Sequence, residues 1–500
     1  MGSYVVPRLT LAACLLVASG LDMSFGNDEV PPDDVALLQT QVVHQSRRLE
    51  TTKQKAIANG GEPVCKEMTN HGSYFTVTVE VGTPRQAFDI VADTGSNALI
   101  VPDCRCKLSG QGCKALDMCF DTDNSSSFLI NKIMFSRGDK DKAMVPMFTL
   151  SYGSGDIDCT VASDEVAVGG VGTFLQDGIF LMESRGDLDI GGDFQGIFGM
   201  GLPGADLGLE MTEFLMEAGV SRYSMCFNAD EPGVLRMNVP PLVNPMGNIG
   251  QVHWGLDLQG MSAGSASAPV LFCDPSTKKK HQQSACGAIP DSGTTLMMGP
   301  KDQIHDLYAG LCSAWPRCDS VAQNHTMVPR SRIFTELLGA CDDWLDEAHD
   351  GILEVPPIIL HLAGSDGRPR QVKLTAWSYV VKYLIPDMEF VKTHVEGLGD
   401  FEVIIPSDNI KTRCGPSIGE HEYTTRQNGP VWILGSPLFF ENSLSYDISV
   451  QPPQIAINPG PCTTCKASLL DADINPRQVK RLPRNLRSLR QSSINRNRRL

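Results

Sequence analysis

Apolar and polar residues alternate at period two from Tyr74 to Val81 (YFTVTVEV), and apolar residues resume in FDIVA after Gly82-Thr83-Pro84. Two such runs around a Gly/Pro turn predict a β-hairpin. Strand-length apolar runs between Gly-rich turns follow in MFTLSYGSGDI, EVAVGGV, GIFLM and QGIFGMGLP. After SRYSMCFN a second series begins: HWGLDL, PVLFC, GAIPD, PIILHL, QVKLTAWSYVVKY, VWILG, SLSYDISV and QIAIN. Helical spacing is read in two places. DLGLEMTEFLMEAG puts Leu207, Met211, Phe214 and Leu215 on one stripe, and KDQIHDLYAGLCSAW does the same with Ile304, Leu307, Tyr308 and Leu311, entered from Pro300. The pattern predicts a mainly β protein with a few short helices.

The order of features repeats once. An Asp-hydroxyl-Gly turn follows an apolar strand at Asp93-Thr94-Gly95 and again at Asp291-Ser292-Gly293; two bulky apolar residues then precede a glycine at Ile197-Phe198-Gly199 and at Ile433-Leu434-Gly435. The helix precedes this element in the second half and follows it in the first, so the repeat is approximate. Two related β-rich lobes are the economical reading.

At 500 residues the chain exceeds what one core usually serves. Its net charge of −16 divides into +8 on Lys466 to Leu500 and −24 on the rest, an acidic body that argues against a nucleic-acid partner. The basic end is expected to be solvated. Arg8 followed by LTLAACLLVASG reads as a secretory signal, too short to span a membrane, and no later apolar run is long enough to do so. The sixteen cysteines then suit disulfides in an oxidising compartment; losing Cys14 with the signal leaves an odd number. Asn124-Ser125-Ser126 and Asn324-His325-Thr326 are N-glycosylation sequons. The expected division is a signal over 1–20, a polar leader over 21–65, lobes over 66–220 and 221–460, and a basic tail over 461–500. A monomer is expected.

Either Asp turn alone reads as a turn, with Asp capping its own backbone and Gly supplying the unusual dihedral. Two copies in a duplicated chain suggest another use. Carboxyl groups brought together cannot both ionise, and such a pair holds one proton over a wide acidic range. The ionised member can deprotonate a water while its neighbour polarises a carbonyl, which is the chemistry of peptide hydrolysis without an acyl intermediate. Thr94 and Ser292 would brace the turns across the lobe boundary, Ser96 and Thr294 would donate to the carboxylates, and Gly95 and Gly293 permit close backbone approach. Neither metal nor cofactor is called for.

These motifs, in this order from about Gly72 to Pro459, resemble the pepsin-like aspartic proteases. The resemblance implies a bilobal fold of two pseudo-twofold-related β-barrel lobes with a cleft between them, acting on protein or peptide substrates from an inactive precursor at acidic pH. It implies Asp93 and Asp291 as the catalytic pair and LSYGSG as a flap, with Tyr152, Gly153 and Ser154 over the substrate. The two apolar-apolar-Gly elements would lie under the aspartates. It further implies bonds between Cys273 and Cys286 and between Cys341 and Cys414. Three positions depart from the family pattern. Ile100 stands where Trp usually hydrogen-bonds the flap tyrosine, Gln195 stands for an Asp, and Cys159 stands for a flap-strand glycine, with a partner expected among Cys104, Cys106, Cys113 and Cys119. The departures leave open a silent relative that only binds peptides.

Other motifs read more plainly. GMSAG around Ser262 matches a nucleophile-elbow string, but SASAPVLF follows where an elbow needs a helix. Cys104, Cys106, Cys113 and Cys119 have spacing compatible with zinc, with disulfides favoured in a secreted chain. Cys462 and Cys465 read as a local structural bridge. His253, beside Trp254, reads as a packing or surface residue.

Overall fold

A computed structural model describes residues 21–22, 61–109, 118–130, 132–137, 140–152, 155–184, 195–204, 212–346, 351–364, 368–395 and 399–465. The expected signal, nearly all of the leader and most of the basic tail lie outside these residues, as do Gly153, Ser154 and Cys113.

The alternating segment at Phe75–Val81 pairs antiparallel with Gln86–Asp93, Val81 opposite Gln86 and Thr76 opposite Val91. Val77 and Val79 face inward with Phe88 and Ile90, because a strand sends alternate side chains to opposite faces. The last strand residue is Asp93, so the hairpin's geometry aims the first Asp turn. Ile197–Gly199 runs parallel beside Val91, Ala92 and Asp93, and its other edge lies antiparallel to Leu99 and Ile100. The second half repeats this arrangement. Cys286–Pro290 leads into Asp291 and lies parallel to Gly429–Leu434, whose far edge meets Met297 and Met298 antiparallel. A backbone bond closes each crossing: Met200 N donates to Asp93 O at 2.6 Å, and Asp291 N donates to Leu434 O at 3.0 Å. A Cβ on Gly435 would sit 2.2 Å from the Leu296 carbonyl oxygen, so glycine is required where the chain passes under the second turn.

The two lobes share a platform. Val64–Asn70, Gly233–Met237, Arg222–Cys226, Asn442–Asp447, Gln454–Pro459 and Met246–Gly247 are consecutive neighbours in one sheet, continuous with the first lobe. Tyr223 and Tyr446 stack across it at 4.7 Å, and Trp254 Nε1 donates to the Tyr223 hydroxyl at 3.1 Å. The second lobe has its own sheet, in the order Pro369–Leu374, Ile358–Ala363, Leu256–Ala263, Cys286–Pro290, Gly429–Leu434, Met297–Gly299 and Ile418–Glu420. The helix Lys301–Ala314 covers it, burying Ile304, Leu307, Tyr308, Leu311 and Cys312 at i, i+3, i+4, i+7 and i+8. The fold is mainly β and bilobal.

Several expectations need correction. PVLFC is no strand: Leu271 N bonds Met261 O, Phe272 stacks on Trp432 at 5.7 Å, and Cys273 adopts a φ of 63° in its disulfide. QVKLTAWSYVVKY is not one strand but the end of Pro369–Leu374, a turn of helix over Ala376–Tyr379, and the start of a long hairpin, Val380–Val395 with Gly399–Pro416. Helices Pro316–Asn324 and Arg330–Gly339 have no counterpart among the expected elements. Of the first expected helix, residues 212–219 are described, and Phe214–Glu217 is helical.

The disulfides also differ in part. Cys462 and Cys465 do not bridge each other; Cys462 is bonded to Cys226 and Cys465 to Cys65, which fastens the segment after the last strand to the platform. The expected boundaries at 65 and 461 therefore fall within clamped segments. Cys104 is bonded to Cys119 and Cys106 is also in a disulfide, while Cys159 is a buried free thiol rather than a partner to either. Cys273–Cys286, Cys341–Cys414 and Cys312–Cys318 are bonded as well.

Candidate active site

Asp93 and Asp291 end their strands face to face at the lobe boundary, 0% and 1% exposed. Each is held identically by its own turn. Gly95 N donates to Asp93 Oδ1 at 2.8 Å and Gly293 N to Asp291 Oδ1 at 2.8 Å. The Ser96 hydroxyl donates to Asp93 Oδ2, and Thr294 Oγ1 to Asp291 Oδ2 at 2.6 Å. A Cβ on Gly95 would fall 2.6 Å from Asp291 Cγ, so one turn's backbone lies directly against the other's carboxyl.

Thr94 and Ser292 lock the turns reciprocally. Thr94 N donates to Ser292 Oγ at 2.9 Å, and Ser292 N donates to Thr94 Oγ1 at 3.0 Å. Each hydroxyl also donates across the boundary, Thr94 Oγ1 to Pro290 O at 3.0 Å and Ser292 Oγ to Ala92 O at 2.7 Å. All four bonds are buried, where loss of a partner is costly.

Burial is the largest influence on Asp93, followed by the charge of Asp291, and together they push its pKa well above the ordinary carboxylate range. Burial also raises Asp291, against hydrogen bonds from Thr294, Asp93 and Gly293. The charge of one carboxyl disfavours ionisation of the other. The pair is thus built to hold one proton.

Tyr152 ends the strand Met147–Tyr152, opposite Gly155 across the flap hairpin, and is 6% exposed. Burial, then Cys159, then Asp93 push its phenol pKa well up. Ile100, Cys159, Ile157, Phe180 and Met182 form an apolar cluster with Tyr152. The flap is therefore seated on a greasy patch where the family pattern would place an indole donor. Gln195 steadies the strand four residues before Asp93, its Oε1 accepting from Asp89 N at 2.9 Å.

His253 is more than the packing residue that the sequence suggests. It is buried, and its Nδ1 donates to the Gly95 carbonyl at 2.9 Å, which ties it to the first Asp turn. Adjacency to Trp254 is the only local signal, and it says nothing of this contact. Ser262 lies within the strand Leu256–Ala263, wholly buried, with Oγ donating to Ser265 O at 3.0 Å and 2.8 Å from His361 Nε2. It is no nucleophile elbow. Among the described residues no cluster of His, Cys, Asp or Glu is suited to a metal ion, and no helix is long and apolar enough to cross a membrane.

Residues 73–229 match the family model described as eukaryotic aspartyl protease. The chain is 25% identical over 286 residues to cathepsin E of Mus musculus, covering 53% of this chain and 63% of that protein. It is 27% identical over 281 residues to napsin-A of Homo sapiens, covering 52% and 60%, and 25% identical over 296 residues to cathepsin D of Rattus norvegicus, covering 54% and 65%. The matches thus span less than two thirds of each of these relatives. With its duplicated crossings and facing Asp turns, the chain is similar to the pepsin-like aspartic proteases, and the matched family domain covers residues 73–229.

Proposed function

We propose that the chain is an aspartic endopeptidase that hydrolyses peptide bonds in acidic surroundings. The observation that carries this reading is the buried pair Asp93 and Asp291, identically supported and electrostatically arranged to share one proton. Asp291 takes a proton from water as its oxygen attacks the peptide carbonyl carbon, while Asp93 gives its proton to the carbonyl oxygen. As the tetrahedral gem-diol collapses and the C–N bond breaks, Asp291 gives its proton to the leaving nitrogen and Asp93 takes one from a gem-diol hydroxyl, which restores the singly protonated pair. Thr94 and Ser292 fix the spacing, Ser96 and Thr294 orient the carboxyls, and Tyr152 with the flap, including Gly153 and Ser154, covers the substrate.

The reading extends to delivery and activation. The disulfides suit an oxidising secretory compartment, and both sequon asparagines, Asn124 and Asn324, are exposed. Residues 1–20 would serve as the signal and the following segment as an inhibitory leader, whose His44, Arg47, Arg48, Lys53 and Lys55 would be drawn to the acidic cleft until carboxylates protonate. A maturation cut then falls ahead of Val64, since Val64 pairs with Met237 and Cys65 is bonded to Cys465. Protein or peptide is the substrate and the working unit is a monomer.

Hydrolysis of a denatured protein at about pH 4 tests the proposal. Cleavage blocked by pepstatin and abolished in Asp93→Asn is expected; cleavage indifferent to both would refute it. One observation favours a silent, peptide-binding relative: Ile100 offers the flap tyrosine no hydrogen bond. Pepstatin binding without hydrolysis under any acidic condition would select that alternative.

A further inference from the structure

The Cys273–Cys286 disulfide closes a loop carrying Lys278, Lys279, Lys280 and His281. Cys286 also begins the strand that delivers Asp291. The loop is fastened to the turn around Arg426: Gln283 N donates to Gln427 O at 2.7 Å, and Ser284 Oγ to Asn428 Oδ1 at 3.2 Å. Between loop and turn opens a cavity of about 500 Å³ whose ionisable lining is Lys279, His281 and Arg426. At Thr425 and Arg426 it adjoins a second cavity of about 390 Å³ walled by His253 and Ile289. His253 holds the Gly95 carbonyl, and Ile289 stands two residues before Asp291 in the chain, so two wall residues of the second cavity connect to the two Asp turns.

No Asp or Glu lines either cavity, although the chain carries 58 acidic residues against 42 Lys and Arg. Neighbouring acids are engaged elsewhere: Lys278 faces Asp257, while Glu420 and Glu422 hold Lys301. Among the described residues Lys279, Lys280 and Arg426 have no ion pair of their own. A concave cationic track on an acidic body focuses field on an anion, and its cross-bonded walls leave little ordering cost for a ligand. We propose that the track through Arg426 and Lys279 receives an acidic segment of the polypeptide substrate, so that the protein selects chains bearing Asp or Glu on the side of the scissile bond facing His253. This rests on the hydrolytic reading above.

The test compares two peptides that differ only by Glu or Gln in the segment following the cleaved bond, and their counterparts altered in the preceding segment. The Glu peptide should show a kcat/KM about tenfold higher at low salt on one side only, falling toward parity at about 0.5 M salt. The double substitution Arg426→Glu with Lys279→Glu should invert the preference toward a Lys-bearing peptide. Equal rates for Glu and Gln peptides, or a preference unmoved by the charge reversal, would overturn the proposal and leave hydrolysis standing. Binding of the labelled peptides to Asp93→Asn protein, read by fluorescence anisotropy, separates the two ideas. Selective binding of the Glu peptide by a protein whose wild type never cleaves would sustain the track and refute the protease.

Discussion

Thr94→Val tests whether the reciprocal lock at the lobe boundary holds the carboxyl pair together. The substitution keeps the side-chain shape but deletes a hydroxyl that accepts from Ser292 N at 3.0 Å and donates to Pro290 O at 3.0 Å. Both partners are buried, and each lost partner costs about 1–3 kcal/mol, so a destabilisation of about 2–6 kcal/mol is expected. Thr94→Ser keeps both bonds and loses one buried methyl, at about 1 kcal/mol. Urea unfolding followed by tryptophan fluorescence and far-ultraviolet circular dichroism measures the difference, coincident curves licensing a single transition. Turnover near pH 4 should fall at least about tenfold in the Val protein, because misplaced reacting groups lose rate steeply. Coupling of about 1 kcal/mol is expected with Ser292→Ala, which breaks the matching half of the lock. A Val protein that loses less than about 1 kcal/mol, or no more than the Ser protein, would refute the reasoning.

Three further outcomes follow from the charges and cross-links. The raised folded pKa of Asp93 means that the native pair contributes stability below its unfolded pKa and loses it as pH rises through the folded value; Asp93→Asn should therefore melt higher than wild type at neutral pH, with the gap closing toward about pH 4 in a differential scanning measurement. Burial lowers the His253 pKa, so its contribution is present above its unfolded pKa and is lost as pH falls through the folded value; His253→Gln should flatten the acid side of the stability curve while lowering kcat more than it raises KM. Replacing Cys226 and Cys462 together opens a connection spanning 236 residues and should cost about 3–5 kcal/mol, read as a lower urea midpoint.

Local chemistry is legible wherever a short segment carries its own reason. The alternation at Phe75–Val81, the stripe from Ile304 to Leu311 and the two Asp turns each state their geometry within a dozen residues. The long hairpin from Val380 to Pro416 offers no such signal, since Phe390, Ile404 and Ile410 are exposed and neither face has a core to set a period. The helix Pro316–Asn324 buries only Cys318 and Ala322, too few apolar positions for a stripe. Cysteine spacing does not disclose that Cys465 reaches Cys65, because connectivity is a property of the assembled platform. The His253 contact with Gly95 likewise joins residues 158 positions apart.

The bond between Cys65 and Cys465 turns the intervening four hundred residues into a closed hoop. Any single peptide break between those two cysteines leaves both fragments tethered, so a nick in an exposed loop would run as one intact band until reductant is added. Self-digestion, should it occur, would then register first as a change in electrophoretic pattern with thiol and only later as shed mass.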